Sequence, residues 1–331
     1  MTRLVRVELR RIMARRVLVL ALLAAAVVSL MAVFGVHQLS VSLNQQRAGA
    51  QEMLEEARDY WEPASPEDYQ VCVRDQARAR QESGQGDVDF GCEQLRRPPI
   101  LDDFLPTYPS MDEQYRELLG YLVYPFLFLA LAVGSTSVAA EFTHRTMGSW
   151  LTFLPRRAPV FSAKVVAAAL VGVPIAVVGL GLVLVGVPAV LRYHGIDDGL
   201  SGEQWVDLGW MAVRIVGLAA AAAAFGAGAA FLVRHSAVVL GLMVGYLVLA
   251  EGILRGLFPS STPWLLGTNL EAFVEHGTTW TRWPDFCDDI TVSCTPTTHV
   301  VSFTQAAVVL AAVLALTLGL ALLRFMRSDF E

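Results

Sequence analysis

Six apolar runs, nearly free of charge, constrain this chain more than any other feature. They cover residues 17–37, 117–139, 162–191, 208–233, 236–256 and 304–323. A helix of about 18 or more apolar residues reaches across the roughly 30 Å hydrocarbon layer of a bilayer. A soluble globule would spread a hydrophobic content of 54% along amphipathic elements; here it is gathered into blocks, which excludes that class. Gly and Pro recur inside the runs, at Pro125, Gly172, Pro174, Gly179, Gly226 and Gly228, as membrane bundles tolerate. The expected fold is an all-α polytopic membrane protein with six transmembrane helices.

The net charge of −6 averages over segments of opposite sign. Residues 1–16 hold six Arg against Glu8, and 139–164 hold Arg145, Arg156, Arg157 and Lys164 against Glu141. Residues 38–116 instead carry 8 Arg and 16 acids, and 192–207 and 257–303 are also net acidic. Basic flanks stay in the cytoplasm. Both termini, the 140–161 loop, the turn at Arg234 and the 324–331 tail are therefore expected inside, with 38–116 and 257–303 extracytoplasmic. The Arg-dominated basic set, with Lys164 as its one lysine, suggests a bacterial source and hence the plasma membrane.

Within 1–16, Val5, Leu9, Ile12 and Met13 fall at helical spacing with Arg3, Arg6 and Arg10 around the other side. That pattern predicts an amphipathic helix on the cytoplasmic surface; a plain basic anchor fits the same residues. The run after it exceeds the roughly 7–15 apolar residues of a cleaved signal core, so it is expected to remain as the first span. All four cysteines, Cys72, Cys92, Cys287 and Cys294, lie in extracytoplasmic loops, where disulfides are permitted. Three pairings are possible, and the sequence-local pairs Cys72 with Cys92 and Cys287 with Cys294 are the easiest to form. The 38–116 loop should be a small helical subdomain, with Ser65-Pro66-Glu67-Asp68 starting a helix that runs to about Glu82. In 257–303, Thr268-Asn269-Leu270-Glu271 reads as a capping box opening a short helix closed by Gly277.

The chemistry that is absent narrows the function. Lys164 stands in no GxxxxGK(S/T) context, so the chain has no phosphate-cradling loop. There is no HExxH, and the six histidines form no metal-ligand spacing. Ser135 and Ser137 have no His in the last span to act as base. Neither a cofactor nor a metal nor a nucleic-acid partner is expected; membrane lipid is. Glu251 and Arg255, at i and i+4 near the outer end of the fifth span, are expected to neutralise each other as a structural ion pair, with a substrate site as the alternative, and Arg214 to snorkel outward. The small-residue surface from Gly217 is expected to pack against another helix. Tyr121, Tyr124, Phe128 and Tyr246 are candidates for lining an amphiphile path, with lipid or helix packing as the alternative for each.

One segment remains: EFTHRTMGSWLTFLPRRAPVFSAK, from Glu141 to Lys164. Its acid ends one span, Trp150, Leu151, Phe153 and Leu154 form the apolar side of a short helix, Pro155 stops it, and Arg156-Arg157 follow. The order of acid, Thr, short apolar helix, Leu-x-x-Leu-Pro-Arg-Arg and Ala-Lys resembles the cytoplasmic loop of the permeases of ABC-2 type exporters. The likeness covers the whole chain: a basic N-terminal helix (LVRVELRRIMARR), six spans, a structured segment before the sixth and the end FMRSDF. The large first outer loop resembles an actinobacterial-like branch of that family.

The resemblance implies pairing with a second permease, identical or not, and with a dimer of separate ATPase subunits that hold ATP and Mg. It further implies that Glu141, Arg145, Thr146, Pro155, Arg156, Arg157 and Lys164 couple the chain to that motor. The expected function is an exporter's transmembrane subunit, not an enzyme by itself, moving an amphiphile, lipid, peptide or drug. The rival readings are a membrane sensor whose outer loop binds a partner, and an intramembrane enzyme.

Overall fold

The structure, a computed structural model, describes residues 2–62, 65–83, 88–105, 110–144, 156–196, 199–282 and 297–327. Its helices are α1 (Thr2–Met13), α2 (Arg16–Asp59), α3 (Pro66–Ser83), α4 (Met111–Thr143), α5 (Arg157–His194), α6 (Gly202–Val233), α7 (Ser236–Tyr246), α8 (Leu266–Val274) and α9 (Phe303–Arg327). Helix α7 continues without interruption through a π-helical stretch, Leu247–Leu254, into a last turn, Arg255–Leu257. Strands β1 (Gly277–Arg282) and β2 (Thr297–Ser302) pair antiparallel. Six of these helices, α2, α4, α5, α6, the extended α7 and α9, are long and apolar enough to cross a membrane. The chain is an α-helical polytopic membrane protein.

Two compact units form: residues 1–34, 110–189 and 198–331 in the larger, 35–109 and 190–197 in the smaller. In the larger unit α4 and α6 make the most extensive packing, and α6 also packs along α9. Small residues explain the closeness of approach. A Cβ added at Gly134 would overlap the Ala223 carbonyl, and one at Gly226 would overlap that of Leu131, so backbone lies on backbone, as small residues allow in membrane bundles. The small-residue surface of α6 is thus a packing face, with Ala219, Ala223, Ala227 and Ala230 fully buried. At the α1 end of this unit, Phe161, Phe231 and Phe325 from α5, α6 and α9 gather in one aromatic cluster. Large apolar side chains such as Leu20, Met31, Leu242 and Leu316 point outward, which suits a lipid surround and not water.

Helix starts follow local chemistry. Ser110 and Glu113 form a capping box before α4, and Ser201 and Gln204 form one before α6. Helix C-termini are capped from a distance. Arg157 donates to the Phe325 and Met326 carbonyls that end α9, and Arg214 to the Phe273 and Val274 carbonyls that end α8. Each arginine supplies donors and positive charge to carbonyls that have no partner within their own helix. Arg214 Nε also donates to the Trp210 carbonyl one turn back, so the side chain reaches toward the N-terminal end of α6, the direction in which the sequence suggested it snorkels, and α8 holds it there.

The loop before α9 departs from expectation in two ways. Helix α8 begins at Leu266, directly after a 3₁₀ turn over Pro259–Trp264, so Thr268 and Asn269 lie inside it and form no capping box. The Asn269 amide instead donates to the Pro263 and Leu265 carbonyls. Gly277 does not close the helix: Glu275 caps it, His276 takes φ 67° and Gly277 opens β1. The hairpin stacks Trp280 on its cross-strand partner His299.

In the smaller unit, α3 starts as anticipated, with Ser65 Oγ accepting from the Asp68 amide. The Cys72–Cys92 disulfide ties α3 to a 3₁₀ turn; Cys287 and Cys294 lie outside the described residues. Arg97 grips Asp103 through both guanidinium nitrogens at 2.6 and 3.1 Å. The Asp103 carboxyl lies below its usual range because the Ile100 amide and then Arg97 favour its charged form.

Candidate functional site

The α1 end of the larger unit holds a charge cluster with a buried centre, Glu8, Glu141 and Lys164, and two partly exposed arginines at its edge. Lys164, near the start of α5, places Nζ 2.9 Å from Glu8 Oε1 on α1 and 2.7 Å from Glu141 Oε2 on α4. Lys164 and Glu141 are each 2% exposed, and Glu8 5%. Arg11 lies 3.6 Å from Glu8 and 3.3 Å from Glu141, and Arg15 reaches Glu141 at 4.0 Å while donating to the Thr136 carbonyl. Two carboxylates are thus held by three cations. Isolated burial of any one of these charges would cost several kcal/mol, roughly, which only close pairing offsets. The cluster therefore fixes how α1 sits against α4 and α5.

Helix α1 is amphipathic, but the face it buries is not purely apolar. Ile12 is inward and Met13 exposed, and the inward stripe carries Glu8 one turn before Ile12. Sequence reasoning missed Glu8 as a site residue. The available signal was an acid at i−4 from a buried apolar position, on an otherwise all-basic helix.

Of the residues expected to act together, Glu141 and Lys164 meet in the cluster, buried away from any soluble partner. Arg156 is exposed, and Arg157 is engaged by the end of α9. Arg145, Thr146 and Pro155 lie outside the described residues.

A second candidate lies among α4, α6, α7, α8 and α9. An apolar cavity of ≈ 140 Å³ is lined by Phe128 and Leu131 of α4, Phe225 of α6, Met243 of α7, Leu270 of α8 and Leu314 of α9. Beside it a larger cavity of ≈ 560 Å³ is lined by Glu113, Glu117 and Tyr121 of α4 and by Glu271 and Glu275 at the end of α8. Tyr124 belongs to both linings. Glu275 is an exposed residue, but desolvation of its carboxyl and then the charge of Glu271 push that carboxyl above the usual range, against the pull of Arg116.

Tyr124 and Phe128 thus line the apolar cavity and Tyr121 the acidic one, whereas Tyr246 belongs to a fastening. Its hydroxyl donates to Glu251 at 3.2 Å and accepts from the Leu266 amide at 2.9 Å. Glu251 also accepts from the Gly267 amide, at 2.6 Å. The expected ion pair of Glu251 with Arg255 does not form. Within the π-helical stretch, i and i+5 fall near one face, so Tyr246 approaches Glu251, and the amides at the start of α8 satisfy the carboxylate.

The family model described as ABC-2 family transporter protein matches residues 4–330. No curated protein and no solved structure matches. Chains of this family are the membrane component of ABC transporters, which normally work with an ABC ATPase, and are not themselves catalytic. With the family model spanning nearly the whole chain, and six helices among the described residues long and apolar enough to cross a membrane, this protein belongs to the ABC-2 family of transporter proteins, as a membrane permease.

Proposed function

We propose that the chain is the transmembrane subunit of an ATP-driven exporter in a bacterial plasma membrane, paired with a second permease, identical or homologous, and with a dimer of separate ATPase subunits that hold ATP and Mg. Both termini and the segment joining α4 to α5 face the cytoplasm, in keeping with their basic flanks. The observation that carries this reading is the buried cluster of Glu8, Glu141 and Lys164. It ties α1 to both helices that flank the 145–155 segment, so a push on that segment moves α1, α4 and α5 together. ATP-driven closure of the partner would then rock α4 and α7, opening the cavities between them alternately to either side. Glu141 and Lys164 act in this scheme as positioning residues, and Arg156, with Arg145, Thr146 and Pro155, offers the contact.

The test is Arg156→Glu in the full chain expressed with its ATPase. Arg156 is exposed, so the spans should keep their thermal stability. Losing a charged anchor at an interface costs about 2 kcal/mol, roughly thirtyfold in affinity. Copurification of the ATPase and stimulation of its hydrolysis should fall accordingly. Undiminished copurification and stimulation would remove Arg156 from the coupling surface. Arg157 is unsuitable for the purpose, since its reversal would also uncap α9.

A further inference from the structure

One face of α4 changes chemistry abruptly along its length. Glu113, Glu117 and Gly120 line the larger cavity, Tyr124 lines both, and Phe128 and Leu131 line the apolar one. Steps of three or four residues keep all six on a single stripe. Helix α8 and its cap repeat the division: Leu266 and Leu270 face the apolar cavity, Glu271 and Glu275 the acidic one. Two elements thus agree on where apolar lining gives way to carboxylates.

The charge of the larger cavity is only partly offset within its own lining. Arg116, its one lining cation among the described residues, is committed to Asp112 at 2.7 Å and reaches Asp207 at 3.7 Å. Glu113 caps α4, Glu271 accepts from Thr278, and Glu117 receives a long bond from Tyr121 at 3.4 Å. The Glu275 carboxylate makes no hydrogen bond or ion pair among the described residues. Tyr121 and Tyr124 add aromatic rings to the same lining, and carboxylates with aromatic faces are the surroundings that hold onium groups. The apolar cavity, ≈ 140 Å³, is of the size that accepts a benzene ring, which occupies an engineered apolar cavity of about 150 Å³.

We propose that these joined cavities bind an amphiphilic organic monocation, its onium centre among Glu117, Glu271, Glu275 and the two tyrosines and an apolar group of about one phenyl ring among Phe128, Leu131 and Phe225. This deepens the exporter reading and rests on it for transport, but binding itself requires no ATPase.

The probe is radiolabelled tetraphenylphosphonium, measured at equilibrium on the full chain in zwitterionic lipid nanodiscs, with empty discs subtracted. Tetraphenylborate, equal in shape and opposite in charge, is the competitor. Saturable phosphonium binding that the borate fails to displace is expected. Glu271→Gln with Glu275→Gln should weaken it about tenfold, since two charges facing the ligand are removed. Ala222→Phe, which fills the apolar cavity, should weaken it comparably. Should the double variant fail to fold, Glu275→Gln alone carries the test, because that carboxylate holds no hydrogen bond or ion pair among the described residues. Non-saturable binding, equal displacement by the borate, or unchanged affinity in Glu275→Gln would overturn the proposal. If Arg156→Glu still sheds the ATPase in that event, the exporter reading stands and only the ligand class falls.

Discussion

Lys164 is the chain's one lysine and sits 2% exposed between two carboxylates. Removing one member of a buried ion pair leaves its partners desolvated and uncompensated, at a cost of about 3–5 kcal/mol. Lys164→Met should therefore lower stability by that amount in detergent unfolding experiments, even though Arg11 and Arg15 remain near Glu141. A variant that melts like the parent would show the cluster to be incidental. At this scale the sequence was legible only in part. Glu141 and Lys164 stand out through the resemblance of the loop they flank, whereas Glu8 reads in the sequence merely as an acid offsetting six arginines. Its role depends on which residues α1 meets in space, and that is settled by packing. Glu251 and Arg255 were paired on α-helical spacing, which the π-helical stretch and the nearby α8 amides supersede.

Helices were easier to foresee than their ends. The apolar run of α2 stops at 37, yet the helix continues to Asp59. Hydropathy marks where a membrane could end; the following Gln, Arg, Ala and Glu residues remain good helix formers, with Gly49 as the one glycine and no proline before Pro63. The hairpin of β1 and β2 was missed, although runs of β-branched residues such as Thr278-Thr279 and Val300-Val301 carried its signal. The packing face of α6 was legible from its alanines and glycines alone. What could not be read was its partner, Gly134 of α4. Gly134→Ala should thus lower the melting temperature of the purified chain, with overpacking costing about 1–3 kcal/mol. Gly181→Ala in α5, where an added Cβ meets nothing within 4 Å, should be neutral or slightly stabilising, since alanine favours helix by roughly 1 kcal/mol over glycine. Equal effects at the two sites would refute the close-contact explanation.

For the molecule as a whole, class and family were both within reach of the sequence. Six long apolar helices and a family match over residues 4–330 agree with what block hydropathy and the order of basic segments implied. The cavities were not, because they arise from five helices converging and only their aromatic members stood out beforehand. The proposed orientation has its own test. A cysteine replacing Arg156 should react with a membrane-impermeant maleimide only after cells are permeabilised, whereas one replacing Asp102 should react in intact cells. The reverse pattern would place the coupling surface on the wrong side of the membrane.

The seating of α4 against α6, carbonyl to glycine at both Gly134 and Gly226, has a mechanical corollary. Neither helix can slide along the other by a residue without steric collision, so the two travel as a single stave. Whatever widens the space beside Phe128 must then come from the opposite wall, where α7 and α9 carry no such interlock with α4.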